Sequence, residues 1–197
     1  HVFVNFVDHG GVGLISFPDS ARTLHATELM AALKLMHQRG MFARLTFYLE
    51  TCESGSMFAG LVPQELPIYA VTAANPEESS WGTFCGTAAR VAGKNLDTCL
   101  GDLFEVNWIM DSETAASNET LGEQFKRVRT ATNKSHVMNY GQVKAFAHEP
   151  VGSFEGSTAN PGKGLLHDVQ AAMQSSAVEV REIKLRMLYE EYVRTNS

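Results

Sequence analysis

Three short apolar segments limit most strongly the folds that this chain can adopt. Each contains five or six residues, is rich in β-branched and aromatic types, and precedes turn-forming residues: Val2–Val7, Leu45–Leu49 and Ile68–Thr72. Continuous apolar runs of this length are typical of strands that are buried on both faces, as in a parallel sheet. We therefore expect an α/β fold with a mostly parallel sheet.

A helical pattern lies between the first two segments. The range Thr27–Gln38 carries apolar side chains at helical spacing, namely Leu29, Met30, Leu33 and Met36. Thr27 followed by Glu28 predicts the N-terminal cap, and Gly40 predicts the stop. The order strand, helix, strand predicts a right-handed crossover between two parallel strands.

The remainder of the chain changes character along its length. A second helix is predicted from about Thr120 to Thr130. Glycines and small polar residues from Glu149 to Gly164 predict a linker, and apolar residues return at helical spacing from Leu165 to Val193. We therefore expect one domain over residues 1–148, a linker over 149–164 and a helical segment over 165–197.

Composition argues against several kinds of partner. The 197 residues are the length of one ordinary domain, and their net charge of −6 provides no basic stripe for nucleic acid. No apolar run approaches the roughly 18 residues that a membrane span needs.

The chain enters its first predicted strand directly after His1. We therefore expect an upstream part of the domain, including N-terminal strands, to be missing.

The cysteines and the sequons give a weaker indication of environment. Of three cysteines, Cys85 and Cys99 bracket one polar loop, which leaves Cys52 alone. Asn118 and Asn133 each begin an Asn-x-Ser/Thr triplet, which is compatible with glycosylation in a secretory compartment. Such triplets also arise by chance.

Reactive side chains follow two of the predicted strands. The segment Asp8–Gly13 contains His9, and the segment Glu50–Ser56 contains Cys52. Ligands of α/β sheets gather at the carboxyl ends of the strands, so we expect the imidazole and the thiol to lie within a few ångströms. A thiol nucleophile needs a base, and the N–H groups of Gly10 and Cys52 are candidates for an oxyanion hole.

Structural roles for these residues remain open on spacing alone. A lone Cys at a strand end is more often buried structure, and a lone His before glycines is more often a loop residue. Their joint placement brings the catalytic and structural interpretations close to equal. We expect no metal and no cofactor, because the seven His show no paired ligand spacing with a third ligand.

Seven ordered blocks carry a more specific signal than the spacing does. They are Val7–Gly11, Phe47–Phe58, Ile68–Pro76, Glu78–Cys85, Cys99–Asp102, Val106–Glu113 and Ser135–Gly141. Their amino-acid sequences resemble those of the legumains, which are asparaginyl endopeptidases also called vacuolar processing enzymes. The resemblance runs in register from about Val2 to Gly141 and continues loosely to Ser197.

This resemblance implies a caspase-like α/β fold and a cysteine endopeptidase that cleaves after Asn, less readily after Asp in acid. By position, His9 matches the catalytic histidine and Cys52 the nucleophile. Glu50 and Asp102 match acidic residues of the Asn-binding pocket, while Ser79 and Ser80 line its wall. An Asn amide offers donors and acceptors, so a pocket for it needs both kinds of partner.

The resemblance also implies how the protein is matured and where it works. Plant-type relatives bridge the positions of Cys85 and Cys99. Legumains are precursors with a C-terminal prodomain, and Asn196 is the expected self-processing site. The implied partners are peptide and protein substrates, the chain's own prodomain and cystatin-type inhibitors. The implied location is a lysosome or vacuole, or outside the cell.

This sequence also departs from the family pattern. The Arg-His pair of the family's pocket, and an Asn that supports the catalytic His, would precede His1. The loop from Gly86 to Thr98 has no proline, unlike that of plant members, and Gly11-Val12 replaces the Gly-Pro common in plant hydrolases. Two alternatives therefore stand beside the protease: an Asn-specific ligase or transpeptidase of the same family, and an inactive homologue that acts as a binding protein.

Overall fold

The computed structural model describes residues 1–18, 22–116, 118–156 and 172–196. The strands are β1 (Val2–Val7), β2 (Gly10–Gly11), β3 (Leu14–Ser16), β4 (Thr23–His25), β5 (Leu45–Glu50), β6 (Ile68–Thr72), β7 (Trp81–Cys85), β8 (Arg90–Val91), β9 (Lys94–Asn95), β10 (Cys99–Asp102), β11 (Met138–Gly141) and β12 (Val178–Glu179). The helices are α1 (Ala26–Gln38), α2 (Leu103–Thr114), α3 (Leu121–Ala131), α4 (Val143–Phe146), α5 (Gly152–Glu155) and α6 (Ile183–Asn196).

The central sheet has the strand order β1-β5-β6-β11. The first three strands are parallel, and β11 runs antiparallel to β6. All six residues of β5 and all five of β6 are buried, because helices cover both faces of the sheet. The three strands predicted from the apolar segments are therefore confirmed, and so is the mostly parallel α/β fold flanked by helices.

Alternate side chains of β5 supply the two cores. Phe47 and Leu49 pack on one face with Leu29 and Leu33 of α1. Tyr48 packs on the other face in a cluster with residues of α2 and α3, including Trp108, Leu121 and Val128. The period-2 alternation of a strand thus builds three layers, with helices on both sides of the sheet.

The two predicted helices are present, but the cap of the first differs from the prediction. His25 precedes α1, and its N–H donates to the Glu28 carboxylate at 2.9 Å, so Thr27 lies inside the helix. Gly40 follows with φ +66°, the left-handed conformation that commonly ends a helix. At α3, Thr120 caps the helix and forms a reciprocal capping box with Glu123.

The chain beyond β11 is more regular than its composition indicates. Within the predicted linker, Val151 is buried and α5 follows it. Within the predicted helical segment, residues 172–175 are helical, Val178 and Glu179 then pair with Gly82 and Trp81 as a strand, and α6 follows from Ile183. The rest of the predicted linker and the start of the helical segment lie outside the described residues, and the division into domains stays a prediction.

Two smaller sheets surround the carboxyl end of the central sheet. One has the order β2-β3-β4 and begins directly after His9, and the other has the order β10-β7-β12.

Within the described ranges, no helix is both long enough and apolar enough to cross a lipid bilayer.

Candidate active site

The loops that carry His9 and Cys52 leave adjacent parallel strands at the same edge of the sheet. Val7 of β1 pairs with Glu50 of β5, and the Asp8 N–H donates to the Glu50 carbonyl at 3.2 Å. Beyond this contact the loops stay in close touch. A Cβ added to Gly10 would lie 2.7 Å from the Cys52 carbonyl oxygen. The two strand-end segments are therefore in contact, and the approach of the His9 imidazole to the Cys52 thiol stays a prediction.

Cys52 lies in a tightly defined environment. Its side chain is buried, and its Sγ is 3.8 Å from the Ser80 Oγ. The next residue, Glu53, has φ +48° and precedes a short 3₁₀ turn over Ser54–Met57. A left-handed conformation at a residue with a side chain is costly and is held here by surrounding contacts. His9, by contrast, is exposed.

Two carboxyl groups, from the buried Glu50 and the partly exposed Asp102, lie near the thiol, and Ser80 contacts both Glu50 and Cys52. Glu50 is 1% exposed, and its Oε2 accepts a hydrogen bond from the Glu105 N–H at 3.2 Å. Burial and the charge of Asp102 raise the pKa of Glu50 well above its ordinary value, against the opposing effects of the Glu105 N–H and the Ser80 hydroxyl. Burial and then Glu105 raise the pKa of Asp102 to about 6, while His9 lowers it.

The two carboxyl groups are shifted by different causes. Burial and the charge of Asp102 favour the neutral acid form of Glu50. Asp102 is ionised above about pH 6. A carboxyl pair in which one member favours its neutral form and the other ionises above about pH 6 combines an O–H donor with a carboxylate acceptor.

The predicted wall residues differ in their placement. Ser80 is buried against Cys52, whereas Ser79 is partly exposed next to it along the chain. β7 continues from Ser80, and β10 ends at Asp102, which pairs with Gly82. The strand pair therefore supports both sides of the carboxyl site.

A disulfide joins the same two strands. Cys85 is bonded to Cys99, which confirms the predicted bridge, and these residues are directly paired across β7 and β10. The loop between them folds into a 3₁₀ turn and the β8–β9 hairpin. Asp97 and Thr98 of this loop line a cleft of about 530 Å³ together with His9 and Arg181.

Arg181 is a site residue that sequence reasoning missed. It forms an ion pair with Glu53, whose side chain is only 4% exposed. Burial opposes its charge, but Glu53 and Cys52 together raise the pKa of Arg181 above its ordinary value. β12 leads into this contact, since the Val180 N–H donates to the Ser80 carbonyl at 3.1 Å. No local pattern links residues so far apart in the chain.

Contacts of the Cys52 loop with the β6 side were also missed. The Glu53 N–H donates to the Glu78 carbonyl at 2.8 Å. The Glu78 carboxylate accepts hydrogen bonds from the His136 N–H and lies 2.9 Å from the His136 Nδ1. Burial opposes ionisation, but the Asn75 and His136 N–H groups and the His136 ring lower the pKa of Glu78.

The other predicted sites lie away from Cys52. Asn118 and Asn133 are exposed, and so is Asn196, the last residue of α6. Glycosylation and self-processing at these positions stay predictions. Among the described residues, no group of three or more His, Cys, Asp and Glu side chains is arranged to hold a metal ion.

Comparison with known proteins gives this arrangement a family. The fold is that of an α/β protein with a buried thiol and an exposed imidazole in loops that leave adjacent parallel strands. The profile described as the Peptidase C13 family matches residues 1–157, and the chain belongs to this family.

Several relatives match nearly the whole chain. A hemoglobinase of Schistosoma japonicum is 38% identical over all of this chain and 44% of its own length. A vacuolar-processing enzyme of Citrus sinensis is 38% identical over 98% of this chain and 40% of its own. A legumain of Canavalia ensiformis is 35% identical over 99% and 42%. The predicted legumain resemblance is confirmed, and the chain spans about two fifths of the length of these relatives.

Proposed function

We propose that the complete protein is a cysteine endopeptidase that hydrolyses peptide bonds after Asn, with Cys52 as nucleophile and His9 as base. The approach of the two strand-end loops supports the pairing of these residues. Cys52 is the cysteine left free by the Cys85–Cys99 bridge. The relatives named legumain and vacuolar-processing enzyme support the same class of reaction.

In the proposed reaction, His9 removes the proton of the Cys52 thiol, and the thiolate attacks the carbonyl carbon after the substrate Asn. The N–H groups of Gly10 and Cys52 stabilise the oxyanion. Collapse of the tetrahedral intermediate breaks the C–N bond, and the His9 imidazolium protonates the leaving amine. His9 then removes a proton from water, which hydrolyses the thioester and restores the thiol.

The observation that carries the specificity is the carboxyl pair of Glu50 and Asp102, both with raised pKa values. A neutral Glu50 donates to the carbonyl oxygen of a substrate carboxamide, and an ionised Asp102 accepts from its NH₂ group. Gln places the same group one methylene too far, whereas the carboxylate of Asp meets the charge of Asp102. Protonation of Asp102 in acid removes this repulsion, so cleavage after Asp increases as the pH falls.

The test uses complete protein, including the part upstream of His1, on matched peptides with Asn, Gln or Asp before the scissile bond. We expect Asn to be preferred over Gln, and the Asp-to-Asn ratio of kcat/KM to rise as the pH falls through about 6. In Asp102→Asn this ratio should be higher at neutral pH and less dependent on pH. Equal cleavage after Asn and Gln, or an unchanged Asp-to-Asn ratio in the variant, contradicts the assignment.

A nucleophilic peptide added to the same assay separates hydrolysis from ligation. A joined product in place of the free acid identifies a transpeptidase, which uses the same acyl-enzyme. An inactive binding protein yields neither product, and its Cys52 fails to react with a thiol-directed probe.

We propose further that the complete protein is made as a precursor with a C-terminal prodomain. Leu185 and Tyr192 of α6 are 70% and 65% exposed, and this apolar surface is where the prodomain would pack. Maturation then follows cleavage after the exposed Asn196. A full-length precursor with Asn196→Gln that matures to the same mass at the same rate in acid excludes this site.

The names of the relatives also support a vacuolar or lysosomal location. A carboxyl pair that needs mildly acidic conditions to accept Asp fits an acidic compartment. Cystatin-type inhibitors remain expected partners of such a peptidase.

A further inference from the structure

Ser56 connects the loop of the nucleophile to the loop of the base. It lies in the 3₁₀ turn that follows Cys52, and its Oγ accepts a hydrogen bond from the Gly13 N–H at 2.8 Å. The same hydroxyl donates to the Glu53 carbonyl at 2.6 Å. Gly13 belongs to the β2–β3 hairpin, which begins directly after His9. One hydroxyl therefore bridges the two strand-end segments.

The Ser56 bridge is one of two hydrogen bonds that flank the reactive residues along the chain. On the N-terminal side of His9 and Cys52, the Asp8 N–H donates to the Glu50 carbonyl at 3.2 Å. After them, the Gly13 N–H donates to Ser56. His9 and Cys52 thus lie between two direct hydrogen bonds that join their loops. A segment fixed at both ends has much less freedom than one fixed at a single end.

We infer that Ser56 is a positioning residue that sets the distance between the His9 imidazole and the Cys52 thiol. The inference rests on the proposed function, since it requires that these two groups react as a pair. Ser56 itself does not touch the substrate in this scheme. Loss of its hydroxyl releases the hairpin at Gly13 while leaving the first contact, at Asp8, in place.

Ser54 provides a matched control in the same turn. Its Oγ accepts from the Ala74 N–H at 3.0 Å and donates to the Ala74 carbonyl at 3.3 Å. Each serine hydroxyl therefore makes two hydrogen bonds with the backbone. Ser54, however, ties the turn to the segment after β6, whereas Ser56 ties it to the His9 hairpin.

The experiment compares Ser56→Ala, Ser56→Thr and Ser54→Ala in the complete protein. The measurements are kcat and KM on an Asn-containing peptide, the melting temperature, and the rate at which iodoacetamide alkylates Cys52 as a function of pH. Arg181 contacts this thiol, and the carboxyl groups of Glu53 and Glu50 belong to the same strand-end segment, but no variant removes any of the three. A difference between the variants therefore reports on the His9 loop.

We expect Ser56→Ala to lower kcat by about 10- to 100-fold, because displacements below 1 Å are costly at a reacting pair. KM should change by less than about threefold, and the alkylation midpoint should move to higher pH as the imidazole–thiol pairing weakens. Ser56→Thr keeps the hydroxyl and should restore both values. Ser54→Ala should lower the melting temperature but keep the midpoint.

Three outcomes overturn the inference while leaving the proposed function intact: unchanged kcat and midpoint in Ser56→Ala, no rescue by Ser56→Thr, or the same midpoint shift in Ser54→Ala. If Ser54→Ala does not fold, the comparison of Ala with Thr at position 56 decides. Failure of the proposed function gives a separate result. If the wild-type protein keeps its activity after Cys52 is alkylated, the proposed function is wrong and there is no catalytic pair for Ser56 to position.

Discussion

The substitution Gly10→Ala tests the close approach of the two loops most directly. A Cβ at this position would lie 2.6 Å from the Thr51 Oγ1, 2.8 Å from the Thr51 Cβ and 2.7 Å from the Cys52 carbonyl oxygen. The hydroxyl of Thr51 can rotate away, but the carbonyl belongs to the backbone that carries the nucleophile. The clash is therefore relieved only if the His9 and Cys52 loops separate.

The size of the separation follows from the contact distances. Ordinary contact begins at 3.4 Å, so the backbone must give way by about 0.7 Å from the 2.7 Å contact. A displacement approaching 1 Å at reacting groups costs on the order of 100-fold in rate. Added volume at a packed position also costs about 1–3 kcal/mol of stability. We expect kcat/KM to fall by about 10- to 100-fold, mainly through kcat.

Gly11→Ala is the control for this prediction. A Cβ there would lie 3.6 Å from the Leu14 side chain, which is ordinary contact, so the loops need not move. The assay is steady-state cleavage of an Asn-containing peptide by complete protein, with melting temperatures of both variants. The reasoning fails if Gly10→Ala retains activity within about twofold, or if Gly11→Ala loses as much.

Three further predictions concern stability in the complete protein. Burial and then Asp111 raise the pKa of Glu119 to about 7. The stability that Glu119 contributes in its protonated form is therefore present in acid and is lost as the pH rises through 7. Glu119→Gln should reduce the fall in melting temperature between about pH 5 and 8. Joint replacement of Cys85 and Cys99 by Ser should cost about 3 kcal/mol, measured by denaturant unfolding, and a loss near zero contradicts the constraint on the loop. Arg181→Ala leaves the buried Glu53 without its partner and should lower stability by about 1–3 kcal/mol, clearly more than loss of the exposed Arg186–Glu190 pair does.

Local patterns were sufficient for the elements with regular periodicity. The buried strands β1, β5 and β6 are continuous apolar runs, and α3 combines a helical repeat with the Thr120–Glu123 capping box. α2 was not predicted as a helix, since apolar residues occur around much of its circumference, from Leu103 and Phe104 to Ile109 and Met110. The two-residue strand β12 was assigned to a helix because its pairing partner lies almost 100 residues away.

The sequence by itself determined the chemistry that the chain can offer: a free thiol at Cys52, an imidazole at His9, and carboxyl groups at Glu50 and Asp102. The ordered motifs around them were enough to indicate the family, and the loop cysteines to predict a bridge. These properties are read from residues that are close together in the chain.

Only the tertiary structure decided how those groups behave. The raised pKa of Glu50 depends on burial and on its contacts with Asp102, Glu105 and Ser80, and the partner of the buried Glu53 is Arg181. The link from Ser56 to Gly13 joins segments 43 residues apart. Each of these effects arises from a contact between distant parts of the chain, and desolvation, charge proximity and hydrogen-bond geometry exist only once those parts are packed together.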